Sequence, residues 1–160
     1  MLKNDYPGQT CSMARALEVV GERWTLLIVR DLLSGPQRYA ELQRKLGVAK
    51  NVLAVRLQKL VGEGIAEKIP YSEAHDWNEY RLTRKGKDLF PVLAALTAWG
   101  DRYAAPPGGP PLIFEHECGH AAGHKVVCAY CGDDVIPRSI RMIAGPGAAS
   151  TSPSGSARPR

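Results

Sequence analysis

Three of the four cysteines fall within residues 118–131 and are interleaved with histidine, as His116-Glu-Cys118-Gly-His120 followed by Cys128-Ala-Tyr-Cys131-Gly132. Cys-x-x-Cys-Gly is the shape of a zinc knuckle, in which glycine lets backbone N–H groups approach the thiolates. Cys118-Gly119 echoes Cys131-Gly132, so Cys118, Cys128 and Cys131 are three expected ligands, with His116 or His120 as the fourth. A tetrahedral set of this kind suits structural zinc, and a segment this short has too few apolar residues for a core and needs a staple. The first turn lacks a Cys-x-x-Cys pair and the spacer is short, which leaves free cysteines or a Cys128–Cys131 redox pair as alternatives. His124 reads as a surface residue. Cys11 stands apart, near the start of the chain.

The second concentration of chemistry is positive charge. Residues 38–59 hold six basic side chains, Arg38, Arg44, Lys45, Lys50, Arg56 and Lys59, against the single acid Glu41, a local +5 equal to the net charge of all 160 residues. Charge clustered on one element is the electrostatic footprint of a nucleic-acid partner. Leu53, Leu57 and Leu60 are spaced to hold one helical face to a core, which leaves Lys50, Asn51, Val52, Val55 and Arg56 facing outward. These types suit a DNA groove: Arg pairs with guanine, Asn pairs with adenine and Val touches a thymine methyl. Arg38, Arg44, Lys45 and Lys59 are placed to neutralise phosphates. The expected partner is double-stranded DNA.

The elements needed to position these groups are legible. Residues 11–20 form a short helix with Met13, Ala16, Leu17 and Val20 on its inward side, closed by Gly21. Residues 22–33 are apolar nearly all round, which places a helix at the centre of a core. Ser34-Gly35-Pro36 is a turn, and a helix over 39–46 follows with Tyr39, Leu42 and Leu46 inward. Gly47-Val48-Ala49 is the tight turn that lets one helix brace while the next, over 50–63, inserts. Leu53, Leu57, Leu60 and Val61 are its inward residues. Strands over 65–69 and 78–82 make a β-hairpin. Its tip, 71–76, is not basic, so the flanking Lys68 and Arg81 carry the expected phosphate contacts. Thr83 caps a long last helix, kinked at Pro91 and reaching Tyr103, with Leu89, Val92, Leu93, Leu96 and Tyr103 inward.

The fold class is therefore mainly α with a small β-hairpin wing, a winged helix-turn-helix. The division expected is a leader over 1–10, the DNA-binding domain over 11–104, and a Pro/Gly linker over 105–111. A small Cys/His module with β-like runs at 112–116 and 126–128 occupies 112–144, and a disordered tail follows over 145–160. Apolar content of 44% and charged content of 23% are those of a globular protein. No apolar run approaches the roughly 20 residues of a membrane span, and the start lacks a secretory pattern, so a cytoplasmic protein is expected. No Ser/His/Asp spacing, phosphate loop or paired carboxylates suggest an enzyme. The competing readings are a thiol oxidoreductase built on Cys128 and Cys131, which lacks the usual βαβ context, and an interaction adaptor that keeps the shape without binding DNA.

Cys11-Ser-Met-Ala-Arg-Ala-Leu, Gly21-Glu-Arg-Trp-Thr-Leu-Leu-Ile, Tyr39-Ala-Glu-Leu, Leu53…Arg56-Leu57…Leu60 and Tyr80-Arg-Leu-Thr…Lys85-Gly86 stand in the order and spacing that resemble the HxlR-type regulators, within the wider MarR-like winged-helix proteins. The resemblance covers about residues 11–104. It implies a transcription regulator acting as a homodimer, with first and last helices packed across a two-fold axis over a pseudo-palindromic operator. Trp99 and Tyr103, with Leu17 and Val20, supply apolar surface for such packing or for the monomer's own core. Ala49 departs from the pattern, standing where similar sequences place a Ser to cap the recognition helix. Some similar regulators sense oxidants or electrophiles through a cysteine at the position of Cys11, chemistry that needs a thiolate at a helix start or beside cations. A redox or small-molecule effector is accordingly part of the expectation.

Overall fold

The structure, a computed structural model, describes residues 6, 11–70 and 78–148. The hairpin tip at 71–76, the rest of the leader and the tail from residue 149 lie outside the described residues. The chain divides into two compact units, Met1–His124 and Lys125–Arg160. The division thus falls inside the segment expected as one Cys/His module.

In the first unit the order is α1 (Ser12–Val20), α2 (Thr25–Leu33), β1 (Gln37–Arg38), α3 (Tyr39–Leu46), α4 (Lys50–Gly62), β2 (Ala66–Pro70), β3 (Asn78–Leu82), α5 (Arg84–Lys87) and α6 (Phe90–Tyr103). The three strands form one antiparallel sheet in the order β1-β3-β2, with Gln37 opposite Tyr80 and Ala66 opposite Leu82. This is a winged helix-turn-helix. Its core is built on α2, whose Ile28, Val29 and Leu32 meet Leu42 of α3, Leu53, Leu57 and Leu60 of α4, Ile65, Leu82 and Leu93. The bracing and recognition helices are joined by Gly47 in the left-handed region (φ 62°), which closes α3, and by buried Val48, which pins the turn to the core.

Several elements differ from their sequence expectation. The second helix begins at Thr25 rather than residue 22, because Gly21–Trp24 is a turn. Trp24 caps it with φ 79°, a left-handed conformation uncommon for a bulky residue. Gly21 cannot carry a side chain there, since a Cβ would stand 2.4 Å from the Leu17 carbonyl oxygen. The last helix is two helices. Thr83 caps α5, its Oγ1 accepting the Gly86 N–H at 3.2 Å, but α5 stops at Lys87. Pro91 then sits in the first turn of α6, where a missing N–H leaves no bond unmade, so it starts a helix instead of kinking one. Strand β1, two residues long, is too short to show an alternating pattern.

The inward assignments were right where a helix meets the core and wrong where its apolar face has no cover among the described residues. Met13, Ala16, Leu17, Val61, Val92, Leu96 and Tyr103 are exposed, and Ala14 takes the inward place on α1. Periodicity marks an apolar face without saying what covers it. The β-like runs at 112–116 and 126–128 are only isolated bridges, Glu115 with Ala121 and Val127 with Asp134. Among the described residues no helix is long and apolar enough to cross a membrane.

Candidate nucleic-acid interface

α4 presents two different faces. Leu53, Leu57 and Leu60 are buried to within 1% of complete, while Lys50, Asn51, Val55 and Gln58 are exposed. Val52, expected outward, is half-buried and packs on the core. Gln58 completes the outer row at i+7 from Asn51 and went unremarked in the sequence, although its spacing reveals it. At the start of α4 the Tyr39 hydroxyl donates to the Lys50 carbonyl at 2.5 Å, which ties the bracing helix to the recognition helix. Ala49 offers no side-chain cap, so the first-turn N–H groups of α4 have no side-chain acceptor there. Such a helix end favours an anion.

The basic residues divide into open and engaged. Arg44 and Lys50 are exposed and have no ion-pair partner among the described residues. Lys68, on the outer side of β2, is exposed as well. Lys45 reaches the Gln37 side-chain oxygen at 2.8 Å but stays at the surface.

The remaining four are occupied within the chain. Arg56, expected to read bases, donates through Nη2 to Glu22 Oε2 at 2.7 Å, with the two side chains only 20% and 25% exposed. Its Nε is buried without a hydrogen-bond partner among the described residues. Lys59, expected on phosphate, donates through Nζ to the Glu18 carbonyl oxygen. Both side chains therefore lash α4 to the end of α1 and the turn that follows it. Arg38 lies 3.5 Å from Glu79 Oε1 and its backbone N–H donates to Glu41, so it starts α3 and joins β1 to β3. Arg81 pairs with Glu67 across the hairpin at 2.7 Å, both half-exposed. The acids Glu22, Glu67 and Glu79, and the backbone carbonyl of Glu18, are the partners that were missed. Nothing local in the sequence aims them at their partners.

The wing is held by a compact device. Thr83 Oγ1 donates to the Gly64 carbonyl at 2.6 Å, and the Thr83 N–H donates to the Ile65 carbonyl at 3.0 Å. Gly86 lies so close that a Cβ would stand 2.2 Å from the Ile65 oxygen. The Thr-x-x-Gly spacing is thus a packing requirement of the turn from α4 into the sheet.

Cys11 is exposed and is the N-cap of α1, its sulfur accepting the Ala14 N–H at 3.4 Å. In the first unit, residues 114–122 form a small turn: the His116 N–H donates to the His120 carbonyl at 2.9 Å, and the Cys118 N–H donates to His116 Nδ1 at 3.3 Å. His120 Nδ1 lies 3.1 Å from the Cys118 carbonyl oxygen. In the second unit, Cys128 and Cys131 share a tight turn in which the Gly132 N–H donates to the Cys128 carbonyl at 2.8 Å and Gly132 has φ 76°. The Cys131 N–H, then the Tyr130 N–H and the Cys131 thiol, hold the Cys128 thiol below its ordinary range. Among the described residues no three His, Cys, Asp or Glu side chains are grouped so as to hold a metal ion.

Comparison with known proteins gives a consistent set. The model of the HxlR-like helix-turn-helix family matches residues 19–107. The HTH-type transcriptional regulator Rv3095 of Mycobacterium tuberculosis is 43% identical over 137 residues, covering 85% of this chain and 87% of that protein. Among solved structures, the transcription factor PA1607 is similar with a TM-score of 0.77 at 36% identity, over 86% of this chain and 97% of that one. The reduced form of the transcriptional regulator YodB from Bacillus subtilis is similar with a TM-score of 0.53 at 31% identity, over 60% of this chain and 96% of that one. YodB has also been solved diamide-treated and quinone-bound.

Proposed function

The chain belongs to the HxlR-like helix-turn-helix family, and from that premise we propose that this transcriptional regulator binds a pseudo-palindromic operator as a homodimer, reading bases with the N-terminal half of α4. The observation that carries the reading is the open outer row of α4, with Lys50, Asn51, Val55 and Gln58 exposed over a fully buried leucine row. Asn51 and Val55 are the base readers. Arg44, Lys45, Lys50 and Lys68 neutralise phosphates. Arg38, Arg56, Lys59 and Arg81 hold the helix and wing in place. Salt-dependent binding to DNA from the protein's own promoter tests this. Arg44→Ala and Lys50→Ala each lower the salt slope by about 1, and Asn51→Ala costs about 1–3 kcal/mol of discrimination at one base position. Salt-independent binding, or an Asn51→Ala variant with unchanged preferences, refutes it.

The dimer is supported by Val92, Leu96, Trp99 and Tyr103, which follow one face of α6 and are 51–64% exposed. An apolar stripe of this kind is costly to leave in water and suits a self-complementary contact. A thiol signal at Cys11 is favoured by its exposure at the cap of α1. Structural zinc is proposed on the Cys128-Ala-Tyr-Cys131-Gly132 pattern, and the turn that holds the Cys128 thiol below its ordinary range supports it.

A further inference from the structure

Within the first unit, residues 111–123 form a strap whose hydrogen bonds all close on itself. The Ala122 N–H donates to the Phe114 carbonyl at 2.6 Å, the His116 N–H to the His120 carbonyl at 2.9 Å, and the Gly119 N–H to the His116 carbonyl at 2.8 Å. Among the described residues no hydrogen bond or ion pair joins the strap to a helix or strand of its unit. Apolar contact alone seats it. Of its residues only Phe114 and Ala122 are half-buried, and the others are exposed. The Phe114 ring meets the Phe90 ring edge-on, with centres 5.5 Å apart and planes at 80°.

The seat is loose on both sides. Leu112, Ile113, Phe114 and Ala122 line two cavities, one of about 750 Å³ toward the end of α2 and one of about 510 Å³ along α6. A close-packed interior leaves few voids larger than a water molecule, so the strap rests on the helices at little more than the aromatic contact. Segments with few buried apolar contacts open without global unfolding. Here opening breaks no hydrogen bond to the core, and the bonds inside the strap travel with it. The contact falls on a helix start that lacks other support. Phe90 is the first residue of α6, its N-cap Leu89 offers no side-chain bond, and Pro91 brings no N–H to the first turn. Val92 and Leu96, which begin the exposed stripe, follow directly.

We propose that residues 111–123 are a latch that exchanges between a docked and a released state while the core stays folded, with Phe114 as its pin on Phe90, and that the docked state favours operator binding. The second half rests on the homodimeric DNA-binding reading above. A docked ring steadies the first turn of α6 and with it the stripe that spaces two copies, and release removes that support. By reciprocity, DNA that prefers the docked state draws the latch shut, and such couplings amount to about 5–150-fold in affinity.

Phe90 and Phe114 are the only two phenylalanines of the chain, so growth on 4-fluorophenylalanine places fluorine at both sides of this contact and nowhere else. The test reads fluorine NMR of the full chain, with Phe114→Leu identifying the two signals and a labelled peptide of residues 110–124 giving the released position of Phe114. Both signals are expected to exchange at one common rate with minor states of about 0.1–10% population, well below the melting temperature. The minor state of Phe114 lies at the peptide position. Phe90→Leu raises the released population at least tenfold, with thermal melting showing that the core is folded. Absence of exchange, unequal rates for the two rings, or a main Phe114 signal already at the peptide position overturns the latch. Saturating promoter DNA is expected to lower the released population fivefold or more, and Phe114→Ser to weaken operator binding by a similar factor. A constant population together with constant affinity overturns the regulation. Failure of the untreated protein to bind DNA overturns the DNA reading instead, and the exchange measurement still stands.

Discussion

If Arg56 is a tether, removing its partner should damage the protein as much as removing Arg56. If Arg56 reads guanine, releasing it from Glu22 should leave DNA binding intact or improve it. The two ideas therefore part on Glu22→Gln, a change that keeps the shape and deletes the charge. The Nη2–Oε2 distance is 2.7 Å and both side chains are three-quarters buried or more. Exposed pairs contribute about 0.2–1 kcal/mol and hydrogen bonds to charged groups about 1.5–3 kcal/mol. A pair at this depth lies between, so a coupling of about 1–2 kcal/mol is expected from the double-mutant cycle of Glu22→Gln and Arg56→Gln in urea unfolding. On a domain of this size the loss lowers the melting temperature by about 5–10 °C. In anisotropy titrations both single variants weaken DNA binding by a similar factor across operator variants, because the lash on α4 is lost in each. A coupling near zero, together with an Arg56→Gln defect confined to one base position and normal binding by Glu22→Gln, refutes the tether.

Four further outcomes follow from the same geometry. Gly86→Ala drives a Cβ onto the Ile65 carbonyl and should cost about 1–3 kcal/mol in urea unfolding, whereas Gly62→Ala, with open space around it, should not. Leu96→Asp and Trp99→Asp should shift the protein from dimer to folded monomer in sedimentation and abolish tight operator binding; a dimer in both variants removes α6 from the interface. Diamide should weaken operator binding of a Cys128→Ser/Cys131→Ser background and leave its Cys11→Ser derivative unaffected, and equal responses refute sensing at Cys11. Metal analysis should find zinc in the purified protein and lose it in Cys131→Ser, and a metal-free native protein ends the zinc proposal.

The sequence by itself determined most of the elements and their order, but not β1 or the break between α5 and α6. The leucine spacing at 53, 57 and 60 fixes which face of the recognition helix is buried, because helical geometry is local and an apolar face must leave water. The turn at Gly47 and the cap at Thr83 are legible for the same reason: each satisfies backbone groups within a few residues of itself. Six basic residues in one stretch likewise announce an anionic partner. Which of them remain open was decided by tertiary structure alone. Arg56 meets Glu22 from 34 positions away and Lys59 meets the Glu18 carbonyl from 41, and side-chain tethers over such separations leave no periodic trace. The same holds for the apolar face of α6: a stripe can be read from the chain, but whether another segment covers it depends on where the fold sends that segment.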